Sequence, residues 1–271
     1  MKCRIILILL VLSGLSYAGS PPDSTRVCYS LFHPLPKDRM RSFETDRPDN
    51  TESPFTVDAG HFQYETDLFK TNHSSAHGIH TVQNSFNAFN LKTGLTPSMD
   101  LQLEIATFVT TRTENIKSNA FFGNFTVRVK QNIWGNDGGV TAMAILPFIN
   151  IPTSSDGKIT GGLILPLAVS LPNDWSAGCQ IESDVEENQP GKGYHMNFQS
   201  SATFSHPLFR KLEYFIEGSI TRDNGLNSYE YFINSGIIYE ILENVKADTG
   251  VYYGLKNTSS KIYFLGISFR I

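Results

Sequence analysis

The chain is poor in cysteine, poor in net positive charge, and has no long apolar run beyond its first turns. Three cysteines in 271 residues rule out a disulfide-built scaffold. Cys3 lies in the leading segment. That leaves Cys28 and Cys179, whose distance in sequence gives no geometric ground for a bridge. Acidic residues outnumber basic ones, 26 to 22, which argues against a nucleic-acid partner, because such a partner needs a basic footprint. No stretch after the first 18 residues approaches the roughly 20 apolar residues that a membrane helix requires. Phosphate-cradling glycine loops and dinucleotide fingerprints are also missing.

What is present begins with an export address. Lys2 and Arg4 supply a positive start, residues 5–12 an apolar run, and Ser16-Tyr17-Ala18 a small-x-small cleavage site. Residues 1–18 therefore read as a signal peptide, and its loss leaves 20 basic residues against 26 acidic, a net charge of −6. Residues 19–43, with Pro21, Pro22, Pro34 and Pro36 among charges, read as a periplasmic tail or linker. Residues 44–54 form a polar box. Pro48 and Pro54 remove amide donors and push their predecessors out of the helical region. Asp49, Asn50, Thr51 and Ser53 favour turns.

From residue 55 to 271 the chain alternates with a period of two. Phe62, Tyr64, Thr66 and Leu68 oppose His61, Gln63, Glu65 and Asp67. A strand with one greasy and one charged face separates two solvents. Twelve such segments are expected near 55–69, 84–96, 101–112, 119–134, 139–151, 161–171, 175–184, 193–206, 211–222, 228–241, 244–255 and 260–271. Leu101, Leu103, Ile105 and Val109 form the apolar face of the third; Tyr229, Tyr231, Ile233, Ile237 and Tyr239 that of the tenth. The fifth, with Ala142, Met143, Ala144 and Ile145, is ambiguous.

A soluble sandwich also alternates, so the connections decide. Residues 96–100, 135–139, 172–174, 206–211 and 242–244 are short turns. Residues 70–83, 113–118, 152–160, 185–192, 222–227 and 256–260 are longer and more polar. Short turns at one end, longer loops at the other and an even strand count are the pattern of an outer-membrane barrel. The fold class is thus all-β: a transmembrane antiparallel β-barrel of about twelve strands spanning 55–271, in the outer membrane of a Gram-negative cell. Trp134 and Trp175 beside short turns, and Phe69, Tyr229, Tyr252 and Tyr253 toward the long-loop end, suit interfacial girdles. The closing run Tyr263, Leu265, Ile267, Phe269, Ile271 must pair with the first strand to remove an open edge. It also resembles the terminal signal read by barrel-assembly machinery, with Phe269 in place of a final Phe.

The other face carries both signs. His61, Gln63, Glu65, Asp67, Lys92, Gln102, Glu104, Arg128, Lys130, Glu213, Glu217, Lys246, Asp248 and Arg270 are the lumen-facing candidates. The lipid face would penalise a mid-depth Lys or Arg by about 2–4 kcal/mol. Twelve strands lie between eight, whose lumen side chains fill, and the 16–18 that leave an aqueous channel. Two readings follow: a narrow pore, or a sealed lumen whose charges neutralise one another. The box, through Asp46, Arg47, Asp49 and Glu52, either folds into the barrel mouth to pair with Lys92, Arg128 or Lys130, or merely starts strand one. His73, His77 and His80 share a loop, but spacing alone makes no metal site. His73-Ser74 is likewise too little for a lipid hydrolase, which needs an activated serine and an orienting third group. No catalytic residue, cofactor or metal is assigned. The expected partners are outer-membrane lipid, the assembly machinery during insertion, and a small-molecule solute.

One stretch carries a resemblance. Thr45, Asp46, Arg47, Pro48 and Asp49, then Thr51, Glu52, Ser53 and Pro54, followed by Thr56-Val57, Gly60, Gln63 and Glu65, resemble the opening signature of a bacterial outer-membrane "transporter" family. That family is named after the meta-pathway of phenol degradation. Gly94-Leu95-Thr96 before Leu101-Gln102-Leu103, Pro152-Thr153, Pro172 with Trp175, and Tyr253-Gly254-Leu255 extend the likeness to residue 271. Ser154 stands where the family usually has Gly. The resemblance implies a signal-bearing barrel giving passive passage to a small molecule, with small aromatic or other hydrophobic compounds among the candidates. Beside it stand a structural or surface-binding barrel with a closed lumen and an outer-membrane lipid hydrolase.

Overall fold

The computed structural model describes residues 28–271 apart from 77, 155–156 and 189–192. The signal peptide expected at 1–18, the tail before residue 28, and His77 lie outside the described residues. The chain forms one antiparallel sheet closed on itself. Its strands are β1 (Phe62–Ala76), β2 (Ile79–Thr96), β3 (Met99–Thr113), β4 (Ile116–Phe121), β5 (Phe125–Trp134), β6 (Thr141–Ile151), β7 (Thr160–Ser170), β8 (Ser176–Glu187), β9 (Tyr194–Phe209), β10 (Leu212–Asp223), β11 (Ser228–Leu242), β12 (Val245–Gly254) and β13 (Lys261–Arg270).

Each strand pairs with its neighbours in order, and β1 closes on β13 from Gln63↔Arg270 to His73↔Lys261. The ring has twelve positions, because β4 and β5 share one. β5 pairs with the inner half of β3 and β4 with its outer half. Between them Phe122 takes a positive φ, and the amides of Phe122 and Gly123 bond to Thr107 and Ala106 carbonyls of β3. The segment expected at 119–134 is therefore one barrel strand interrupted by an irregular step.

Two other expectations shift. Strand one starts at Phe62 rather than 55, because residues 55–61 turn inward and cross the end of β2. Ala59 bridges Gly94 in parallel, and a Cβ on Gly94 would sit 2.1 Å from the Asp58 carbonyl oxygen. The loop expected at 70–83 is mostly strand. β1 and β2 continue their ladder from Lys70↔Ser85 to Ala76↔Ile79. Beyond the bilayer both faces meet water, so pairing persists while the polarity alternation that reveals it fades. His73 and Ser74 thus lie on a strand, with the His73 Nε2 3.1 Å from the Thr71 hydroxyl.

The molecule is polar inside and apolar outside. Among the described residues, twenty-four polar or charged side chains are buried, against ten apolar ones. Large apolar side chains of every barrel strand face outward, among them Leu101, Ile145, Ile181, Phe198, Ile237 and Leu265. The ambiguous β6 resolves with Ala142, Ala144 and Leu146 inward and Ile145 and Ile149 outward. Ile105 keeps the parity of Leu101 and Leu103 but is buried, opposite Phe89 and beside the step between β4 and β5. Aromatic rings run across the outer surface through cross-strand partners: Phe69 to Phe86 at 5.3 Å, Phe86 to Phe108 at 5.8 Å, Phe108 to Phe121 at 4.9 Å. Near the short-turn end Trp175, His206 and Tyr214 cluster. Tyr252 is a correction to the expected girdle. Its hydroxyl points inward and donates to the Pro48 carbonyl oxygen at 2.5 Å, because its position on β12 shares the inward parity of Asp248.

This inverted arrangement makes a direct prediction. Ile237→Arg puts a charge on the lipid face of β11 and should lower stability in lipid bilayers by about 2–4 kcal/mol. Urea titration of the refolded barrel in vesicles measures it, and an unchanged midpoint would contradict the assignment of that face to lipid.

Candidate functional site

The interior is organised by the polar box, which lies inside the ring and is bonded to the walls of seven of its twelve strand positions. Asp46 receives the ammonium groups of Lys92 and Lys130, the latter at 2.6 Å. Glu65 also takes Lys92, and accepts the Asp46 and Arg47 backbone amides at 3.1 Å. Arg47 forks between Asp67 at 2.6 Å and Asp248 at 2.7 Å. The fork lies flat against β13 over Gly266, where a Cβ would come within 2.1 Å of the guanidinium. The next turn reaches across the lumen. Glu217 accepts the amides of Asn50 and Thr51 at 3.0 and 2.7 Å, and Thr51 meets Ser201 at 2.7 Å. Glu52 pairs with Arg128, which also holds Glu104, while its amide donates to Gln180 at 2.7 Å.

These contacts follow from chain chemistry. Residues 46–54 contain two prolines and form no ladder, so their free amides need acceptors. The wall provides carboxylates and amide side chains at inward positions. Asn132 donates to the Pro54 carbonyl at 2.9 Å, and Asp100 accepts the Val57 amide at 3.0 Å. The exit toward β1 is pinned at the short-turn end, where Asp58 pairs with Arg41 at 2.7 Å and Arg270 at 3.2 Å. Phe43 is buried there between Lys246 and Arg270, each with its charge 5.4 Å from the ring centroid. The described part of the tail is held to the barrel end. Leu31 bonds to Leu95 and Leu35 to Ala59, and the His61 ring lies 2.7 Å from the Leu35 carbonyl oxygen.

All fourteen lumen-facing candidates have places in this arrangement. His61, Gln63, Glu65, Asp67, Lys92, Gln102, Arg128, Lys130, Glu217, Asp248 and Arg270 are buried. Glu104, Glu213 and Lys246 are half-buried: Glu104 is bound to Arg128, and the other two border the cavity below the box. Of the possible partners for the box, Lys92 and Lys130 take Asp46 and Arg128 takes Glu52. Sequence reasoning passed over Arg41, Asp58, Asp100, Asn132 and Gln180. Three of these announced themselves by parity: Asp100, Asn132 and Gln180 each precede or follow an outward apolar residue on a barrel strand. Arg41 and Asp58 had no such signal, lying outside the strands. No disulfide joins Cys28 to Cys179.

Polar cavities flank the box. One of about 520 Å³ on its long-loop side is bordered by Asp46, Arg47, Asp49, Glu52, Glu104 and Glu182, among others. One of about 330 Å³ on its short-turn side includes Glu44, Glu213 and Lys246 in its lining. Arg47, Asp49 and Glu52 border both. A third, of about 930 Å³, opens above toward the long-loop end and shares Asn124 and Glu182 with the first.

The family described as "Putative MetA-pathway of phenol degradation" matches residues 45–271, beginning inside the box and ending with the last strand. The chain belongs to that family. No curated protein sequence matches the chain. In fold it is similar to the COG4313 outer membrane channel from Pseudomonas putida F1, with a TM-score of 0.54 at 9% identity over 84% of this chain and 100% of that one. It is similar also to the NanC porin, with a TM-score of 0.52 at 10% identity over 77% and 100% of the two chains. The KdgM porin in complex with disordered oligogalacturonate gives 0.51 at 10% identity over 77% and 98%. All three are described as porins or channels, and what the family member here shares with them is the closed outer-membrane barrel.

Lys130 is fully buried, and Asp46 is the only carboxylate within ion-pair distance of it among the described residues. Asp46→Ala should therefore cost about 3–5 kcal/mol, the penalty for leaving a buried charge without its partner. It should also make the 44–54 segment cleavable by added protease while the barrel keeps its heat-modifiable migration. Protease resistance equal to that of the unsubstituted protein would show that the Asp46 pairs do not hold the segment.

Proposed function

We propose that this family member gives passive passage to a small molecule across the outer membrane, along a narrow polar path in which the box is the constriction. The observation that carries the reading is that Arg47, Asp49 and Glu52 belong to the linings of both cavities. Polar space lies on both sides of the box, and the same three residues border both spaces. The short-turn end and the 28–43 segment are read as periplasmic and the long-loop end as facing outside. The box is read as a unit separate in role from the barrel of 55–271, and inward charges as the determinants of what passes. Outer-membrane lipid contacts the apolar surface, and assembly machinery acts on the closing strand. No covalent chemistry is assigned: His73 is engaged by Thr71 on an outer strand extension.

The competing reading is a structural barrel with a closed lumen, favoured by the number of walls that the box engages. Single-channel recording separates the two. The intact protein should show small, resolvable conductance steps. Removal of residues 44–54 should enlarge them severalfold, as expected when a lumen-filling segment leaves a twelve-stranded ring. A normally assembled barrel with the same conductance before and after deletion would end the role of the box as constriction. An intact protein without current would favour the closed barrel.

A further inference from the structure

The lining of the path has one dominant sign. On β8 the inward residues are Gln180, Glu182, Asp184 and Glu186, while Ile181 and Val185 face outward. Alternate residues of one strand lie about 7 Å apart. These side chains therefore form a vertical acidic stripe that descends from the long-loop mouth to the box, where Gln180 accepts the Glu52 amide. The stripe spans two cavities. Asp184, Glu186 and Asp223 line the upper one, and Glu182 lines both.

The cations nearby are already committed. Lys158 pairs with Glu187, Arg128 with Glu52 and Glu104, Arg47 with Asp67 and Asp248, and Lys92 and Lys130 with Asp46. Among the described residues, no lysine or arginine lies within ion-pair distance of Glu182, Asp184, Glu186 or Asp223. Glu182 accepts neutral amide donors, Gln180 at 3.2 Å and Gln199 at 3.3 Å, and its carboxyl lies beside that of Asp184. His195 is a basic ring near the mouth, 3.8 Å from Asp223 and 4.0 Å from Glu186. A second observation is independent of the charge count. Among the described residues, one carboxylate oxygen of Asp184, partway down, and one of Glu52, at the foot, are buried without a hydrogen-bond donor. A positively charged or strongly donating solute would supply what both lack.

Resting on the passage reading above, we infer that the permeant class is small cations, drawn down the β8 stripe to the box, with anions excluded. Rows of carboxylates in a confined path raise the local concentration of cations and repel anions. The uncompensated residues are specificity determinants and do not hold the barrel together.

The test is the reversal potential of the protein, purified from outer membranes and reconstituted in planar bilayers, under a potassium chloride gradient. The expected result is a potential of the sign that potassium permeation produces, with a cation preference of about threefold or more at low ionic strength that shrinks as salt screens the lining. Glu182→Gln, Asp184→Asn and Glu186→Gln together should at least halve that preference while single-channel steps persist. Glu186→Gln alone, at the solvent-exposed mouth, serves if the triple variant fails to assemble, and should reduce the preference in the same direction. A current with no preference, or a preference for chloride, would overturn this inference and leave passage standing. A preference untouched by any of these substitutions would overturn the role of β8. No current in the intact protein would sink passage and selectivity together.

Discussion

Everything in this molecule depends on the rule that no backbone amide or carbonyl is left unpaired in hydrocarbon. A sheet of antiparallel hairpins satisfies it everywhere except at its two outer edges, and the pairing of β1 with β13 removes those. Closure then dictates polarity. A ring in lipid must turn its apolar side chains outward, so alternate residues have nowhere to go but the lumen. The closing strand shows the coupling at single residues: Phe269 stacks outside on Tyr64 at 5.3 Å, while its neighbour Arg270 reaches Asp58 inside.

The lumen inherits a second problem from the first. A twelve-stranded ring collects many charges in little space, and buried charges need partners with good geometry. Wall-to-wall pairing does part of this, as between Arg128 and Glu104. The rest is done by a segment that is not wall at all. Residues 46–57 bring Asp46 to two lysines, Arg47 to two aspartates and Glu52 to an arginine, and spend their free amides on Glu65, Glu217, Gln180 and Asp100. The prolines that bar this segment from a strand are what keep its amides available. The box is therefore the counter-charge of the barrel as well as its content, which is why one short polar stretch is bound to so many strands.

That division explains what was legible in the sequence. The strands were, because lipid on one side and water on the other impose a two-residue period; the tenth expected segment, 228–241, matches β11 to one residue. Legibility failed where that pressure stops. The ladder of β1 and β2 runs on past Lys70 with polar residues on both faces, so it looked like loop. Residues 55–61 alternate like a strand but are diverted inward over Gly94. Inward candidates could be read off parity, yet their pairing could not. Arg47 and Asp248 are 201 residues apart in sequence. Only ring closure brings them together, and nothing local encodes that meeting. Tyr252 illustrates the same limit, since a ring near a strand end fits a girdle or a lumen until the parity of its strand is fixed.

On the proposed reading, the way the box is held also bears on how a solute passes it. To expel the whole segment, bonds to seven walls would have to break together and several buried charges would lose their partners. Each such loss costs several kcal/mol, far more than passive flux tolerates. The cavities, however, already come within reach of each other at Arg47, Asp49 and Glu52. Of these, Glu52 keeps one carboxylate oxygen unpartnered, and Asp49 has no lysine or arginine within ion-pair distance among the described residues. Asp49 can move without parting an ion pair among the described residues, and when Glu52 moves Arg128 keeps Glu104. Passage beside a seated box is thus the lower-barrier route, and it sends a solute past carboxylates whose charge is the least compensated in the lumen.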